Sequence, residues 1–267
     1  MRKYGAPYKG SKSDIAERLL GAMPMADTFV DLFAGGCAMT HCAMVSGRFR
    51  HFIANDIDGG GIELFLRAVN GEYKDRTEWV SRDMFFLLKE GDPFIKYIWS
   101  FGNNGRNYLY GEDIEPYKKA IHEMLTAPTL NQRRLEWKKA TKAFETTDRG
   151  DSEPLERLQS LEYLQALQNL QALQKDYQAV DIPPDSVIYC DIPYEGTDGY
   201  DSGENRQNFD YERFYAWAKK QTNIYISSYE LPSDRFKCVY ETKKTVSMAA
   251  TTTTIKMERL FVPRREK

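Results

Sequence analysis

Only three histidines and four cysteines occur in the 267 residues. The cysteines, Cys37, Cys42, Cys190 and Cys238, form no Cys-x-x-Cys pair. Neither a structural zinc site nor a disulfide framework is expected, and the thiols read as buried and free. No run approaches the roughly 18 apolar residues of a membrane span. The polar start MRKYGAPYKGSK lacks the apolar stretch of a secretory leader, so the reading is a cytoplasmic protein with no membrane partner. Net charge is nearly absent, since 37 basic residues face 39 acidic ones. That excludes a uniformly basic coat, but a basic groove on a neutral body remains open because steering follows the local field. A Gly-x-Gly-x-x-Gly turn is missing too, which counts against a plain dinucleotide-binding domain.

What is present supports a large core: 42% of the residues are hydrophobic and 28% charged, ordinary for a globular chain. Early in the chain TFVDLF reads as a strand, followed by Ala34-Gly35-Gly36 and a helical CAMTHCAMV. FRHFIAND reads as a second strand before a helical IELFLRAVN, and EWVSRDMF as a third. Strand, glycine turn, helix, strand is the grammar of a parallel sheet with crossover helices. It resumes late with SVIYC, YERFYAWAKK and NIYISSY, and FKCVYETKK with MERLFVP predicts a closing antiparallel hairpin. Residues 1–86 and 185–267 are therefore expected to form one α/β domain, interrupted by a mostly helical insertion over 87–184. Inside the insertion, leucine recurs every third residue from Leu155 to Leu173. At 100° per residue such a series winds around a helix rather than marking a seam, so a helix with several apolar faces is predicted.

Three stretches carry chemistry. Asp31-Leu32-Phe33-Ala34-Gly35-Gly36 ends the first strand, where glycines let the backbone approach a ligand and the next helix presents free N–H groups. Asp56 ends the next strand at the spacing suited to ribose hydroxyls, which favours an adenosine-containing cofactor. Asp191-Ile192-Pro193-Tyr194 ends SVIYC. In an open parallel sheet the carboxyl ends of the strands form the ligand crevice. A carboxylate and a neighbouring backbone carbonyl there can both accept from an exocyclic amino group, and a tyrosine ring offers a face for a base.

Taken together and in this order, the motifs resemble the DNA adenine-N6 methyltransferases of the Dam-like (D12) class. PYKGSK is similar to the N-terminal cofactor motif, FVDLFAGG to the first-strand motif, ANDID to the acidic motif and DIPY to the catalytic Asp-Pro-Pro-Tyr. The resemblance implies a Rossmann-like mixed sheet of the S-adenosylmethionine-dependent type with a target-recognition insertion, and S-adenosylmethionine as cofactor. Tyr8, Lys12, Asp31, Phe33, Gly35, Asp56, Asp83 and Asp191 would bind that cofactor. Asp191, Ile192, Pro193 and Tyr194 would act on the N6 amino group of an adenine flipped out of DNA. Asn103, Asn104, Arg106, Tyr108 and Tyr110 stand in a loop that the family places near the target. Lys118, Lys119, Arg133, Arg134 and Lys138 would contact phosphates, and the polar loop after Tyr194 would cover the base. The sequence departs from the pattern at Ile192, where proline is usual. The position contributes a backbone carbonyl, which isoleucine also has, and Pro193 biases Ile192 to extended conformations, so the reading is that catalysis survives.

Two rivals follow from the same motifs. A glutamine amide methyltransferase would carry Asn at position 191 and lack the long insertion. A degenerate, non-catalytic DNA-binding module would bind cofactor without transferring the methyl group.

Overall fold

The structure, a computed structural model, describes residues 3–136, 153–162, 164–194, 209–249 and 252–265. By its contacts the chain divides into two compact units, one of residues 1–5, 11–62 and 164–267, the other of residues 6–10 and 63–163.

The first unit is built on a seven-stranded sheet. Its strands are β1 (Thr28–Asp31), β2 (His51–Asn55), β3 (Leu170–Leu173), β4 (Ser186–Cys190), β5 (Ile224–Ser228), β6 (Phe236–Ala249) and β7 (Thr252–Pro263). The spatial order is β3-β2-β1-β4-β5-β7-β6, with β7 antiparallel to both neighbours and every other pairing parallel. This is the mixed α/β sheet of the methyltransferase type expected from the sequence. Strands β1 and β4 are buried at every position, as central strands covered on both faces must be. The order of strands reverses between β1 and β4, so the crevice beyond their carboxyl ends is the topological switch point. Val30, Leu32, Ile188, Cys190, Phe214 and Ile226 form the heart of one core cluster there.

Helices α1 (Ala16–Gly21) and α2 (Ala38–Ser46) belong to this unit, and α2 ends on Gly47 in the left-handed conformation that closes helices. Helix α3 (Gly60–Val69) follows β2. The second unit contains α4 (Arg82–Leu88), α5 (Pro93–Ile98), α6 (Glu115–Thr126) and α7 (Glu153–Gln159). Its centre is aromatic, with the Trp79 ring 5.0 Å from Trp99 and stacked 5.5 Å from Tyr110. The last helix, α8 (Tyr211–Ala218), packs back in the first unit.

Two elements differ from the sequence reading. EWVSRDMF is not a strand: Ser81 caps α4, its hydroxyl accepting from the Met84 amide, and Asp83 lies exposed in the helix's first turn. The third strand comes instead from the leucine-rich stretch. That stretch is not one helix: α7 stops at Gln159, a 3₁₀ turn runs over Gln165–Asn169, and β3 follows, parallel to β2.

Candidate active site

The carboxyl end of β1 is held by its own turn. Gly35 and Cys37 take positive φ values of 47° and 60°, which swing the chain from strand into α2. The Gly35 amide donates to Asp56 Oδ2 at 2.8 Å, and the Asp58 amide to Oδ1 at 2.9 Å. Asp56 therefore ties the end of β2 to the β1 turn, while burial raises its pKa to about 6. Asp31, fully buried, accepts from the Thr40 hydroxyl through Oδ2 at 2.8 Å, and burial, opposed by that hydrogen bond, raises its pKa to about 7. Its Oδ1 has no hydrogen-bond partner among the described residues. An unmatched buried acceptor is costly, and here it is a carboxylate oxygen at the switch point, suited to a cationic amino group. Phe33 presents its ring to Tyr177, Phe209 and Phe214, an aromatic wall beside the same turn.

Asp191 directly follows β4 and is paired with Lys12, whose ammonium lies 2.7 Å from Oδ1. Burial raises the Asp191 pKa and Lys12 draws it back, so the ammonium favours the carboxylate form in a desolvated place. Lys12 also donates to the Tyr194 hydroxyl at 2.6 Å. Tyr194 donates in turn to Glu258 Oε1 at 2.7 Å, and the Ser227 hydroxyl donates to the same oxygen at 2.6 Å. The Tyr194 ring sits 4.3 Å from that of Tyr229, which carries Lys256 over its face at 4.8 Å. Burial and the neighbouring carboxylates push the Tyr194 phenol well above its ordinary pKa, so it is a neutral hydrogen-bonding group. Burial lowers Lys244 to about 8, with Lys12 adding to the effect.

The turn itself is fixed at both ends. Tyr211 donates to the Pro193 carbonyl at 3.0 Å. Ile192 is 2% exposed and belongs to the core cluster of the sheet.

The structure brings Lys12, Asp31, Gly35, Asp56, Asp191 and Tyr194 into one unit. Tyr8 and Asp83 fall in the other, where the Tyr8 ring lies 5.2 Å from Tyr97. The loop expected to meet DNA is shaped by its own polar residues. Asn103 donates to the Tyr97 carbonyl at 2.9 Å, Asn104 accepts from the Arg106 amide at 2.7 Å, and buried Tyr108 donates to the Val80 carbonyl at 2.7 Å. Lys118 reaches over the Tyr110 ring, Lys119 approaches Glu123 at 3.8 Å, and Arg133 and Arg134 are exposed. Lys138 and the loop after Tyr194 lie outside the described residues. Among the described residues no cluster of His, Cys, Asp or Glu could hold a metal ion, and no helix is long and apolar enough to cross a membrane.

Sequence reasoning missed Ser227, Tyr229 and Glu258. The signal for Glu258 was readable: with period two it shares the buried face of β7 with Leu260.

A family model described as D12 class N6 adenine-specific DNA methyltransferase matches residues 8–253, nearly the whole chain. Among solved structures, the rRNA methyltransferase aviRa from Streptomyces viridochromogenes is similar at 12% identity and a TM-score of 0.37, over 93% of this chain and 82% of that one.

Proposed function

The chain belongs to the D12 class of N6 adenine-specific DNA methyltransferases, and from that premise we propose that S-adenosylmethionine is its methyl donor and a flipped-out adenine its substrate. The observation that carries this reading is the position of Asp191, paired with Lys12 immediately beyond β4 and beside the β1 turn.

The donor fits the residues at the β1 turn. The unpartnered Oδ1 of Asp31 would accept from its ammonium group, and Asp56 from its ribose hydroxyls. When bound, S-adenosylmethionine supplies an electrophilic methyl group on a sulfonium. The rest is the work of the chain. The adenine N6 is a poor nucleophile because its lone pair is delocalised into the ring. The Asp191 carboxylate and the Ile192 carbonyl accept hydrogen bonds from its two N–H groups, draw them from the ring plane and free the lone pair that forms the new N–C bond. As the S–C bond breaks its electrons stay on sulfur, and the proton that N6 sheds passes by way of the Asp191 carboxylate to solvent. Lys12 holds Asp191 ionised and oriented, and Tyr194 offers its ring as a stacking surface. Holding two reactants in register can contribute on the order of 7–11 kcal/mol. The geometry is inaccessible inside a duplex, so the base leaves the stack at a cost of about a few kcal/mol. The loop over 100–110 and the exposed basic residues Lys119, Arg133 and Arg134 are the proposed DNA-reading and phosphate-positioning groups, with Arg106 suited to guanine.

The test is Asp191→Ala. Transfer should vanish while cofactor affinity, measured by calorimetry, stays within about threefold of the parent, as expected when an interaction made in the transition state is removed. A variant that still turns over at the parent's rate would sink the assignment of Asp191.

A further inference from the structure

Glu258 has no exposed side-chain surface, and the acceptor geometry assigned above does not use it. Burying a carboxylate costs several kcal/mol unless it is well paired. Here Oε1 takes two hydroxyl donors, from Tyr194 and Ser227, with the Lys12 ammonium 3.9 Å away. Oε2 lacks a hydrogen-bond partner among the described residues. The two oxygens are therefore used unequally, and the bonded one is spent on Tyr194.

A phenol has one proton to give. Because Glu258 accepts it, the Tyr194 oxygen is left to accept from Lys12, and Lys12 in turn donates to Asp191 Oδ1. We propose that Glu258 is a positioning residue for methyl transfer. It fixes the Tyr194 ring in one orientation for the incoming base and, through the Tyr194 oxygen and Lys12, fixes the Asp191 carboxylate. The inference rests on the reading that Asp191 and Tyr194 receive the adenine. Glu258 touches neither substrate nor donor and acts only through these neighbours. It stands on the reversed strand β7, one strand beyond β5, the neighbour of β4.

The experiment is a kinetic cycle on the full chain with unmethylated DNA, comparing the parent, Glu258→Gln, Glu258→Ala, Tyr194→Phe and the Glu258→Ala/Tyr194→Phe double variant. Glu258→Ala should lower kcat by about 10- to 100-fold with KM for the donor within about threefold. Glu258→Gln keeps an acceptor for the phenol and should remain within about fivefold of the parent. In the Tyr194→Phe background, adding Glu258→Ala should cost less than about threefold, because the two act as one unit. Turnover of Glu258→Ala within about twofold of the parent, or effects that multiply in the double variant, overturns the proposal. Equal damage from Gln and Ala does so as well. If Glu258→Ala melts below the assay temperature, Glu258→Met fills the same volume and takes its place in the cycle with the same outcomes. A parent chain that methylates adenine normally while the cycle fails would leave the Asp191 reading standing; a parent without transfer would remove that reading itself.

Discussion

Ile192 has two parts, a backbone carbonyl proposed as an acceptor for N6 and a side chain buried in the core of the sheet. The two can be separated. Ile192→Ala keeps the carbonyl and deletes packing, so it should cost about 2–4 kcal/mol of stability while leaving kcat within about tenfold at a temperature where the variant is folded. Chemical denaturation with parallel turnover assays checks this, and lost turnover at unchanged stability would contradict it. Asp31 shows the opposite balance, a group retained against stability. Burial lifts its pKa to about 7, well above the value near 3.9 of an unfolded chain. Between these values the folded chain keeps a proton that the unfolded chain has released. Stability therefore falls as pH rises from about 4 to about 7, and the loss persists above that range. Asp31→Asn should raise the Tm by about a few degrees at pH 8, with the gain shrinking toward pH 4. It should also weaken donor binding by about tenfold or more, since a charged acceptor is lost. Thermal scans across pH and calorimetry measure the two, and an equal gain at pH 4 and pH 8 would contradict the account.

At the scale of elements, the site depends on how the N-terminal segment lies on the β1 turn. Gly5 has φ of +68°, and a Cβ there would meet the Ala38 backbone nitrogen at 2.6 Å and the Gly36 carbonyl closer still. Its amide donates to His41 Nδ1 at 3.0 Å, and the Tyr4 amide to Ser13 Oγ at 2.7 Å, next to Lys12. Gly5→Ala should destabilise the fold by about 2–4 kcal/mol, because both the conformation and backbone contacts oppose a side chain. It should weaken donor binding as well. Denaturation and calorimetry on the one variant test both, and parent-like values in each would show that the segment is not clamped. The same scale shows what was legible in advance. Strands β1, β2, β4 and β5 were readable because they are apolar and end in turn residues, and the motif order placed Asp31, Asp56 and Asp191 at their ends. β3 was not, since it is a four-residue edge strand with a half-exposed pattern inside a leucine series of helical appearance. The Ser81 cap was overlooked because Trp79, Val80, Met84 and Phe85 resemble strand text. Period two marks the buried face of β7 that carries Glu258, but it does not say which site folding brings to that face.

For the whole molecule, a near-neutral chain acts on a polyanion by concentrating function rather than charge. Carboxylates gather where the base and donor would be held, offset by an ammonium at Asp191, amides at Asp56 and hydroxyls at Asp31 and Glu258, while Lys119, Arg133 and Arg134 lie exposed on the second unit. The sequence reading set its insertion at 87–184, whereas contacts divide the chain at 62/63 and 163/164. Residues 6–10 also join the second unit from the far N-terminus, a contact that no local pattern encodes. The claim on which everything else rests is that the carboxylate, the turn and the ring after β4 methylate adenine. The most direct measurement is incubation of the purified full chain with S-adenosylmethionine and unmethylated DNA, followed by digestion and nucleoside mass spectrometry, with Asp191→Ala alongside. The account predicts N6-methyladenine from the parent and none from the variant. Donor binding without any methylated adenine from the parent, or equal yields from both chains, would contradict it.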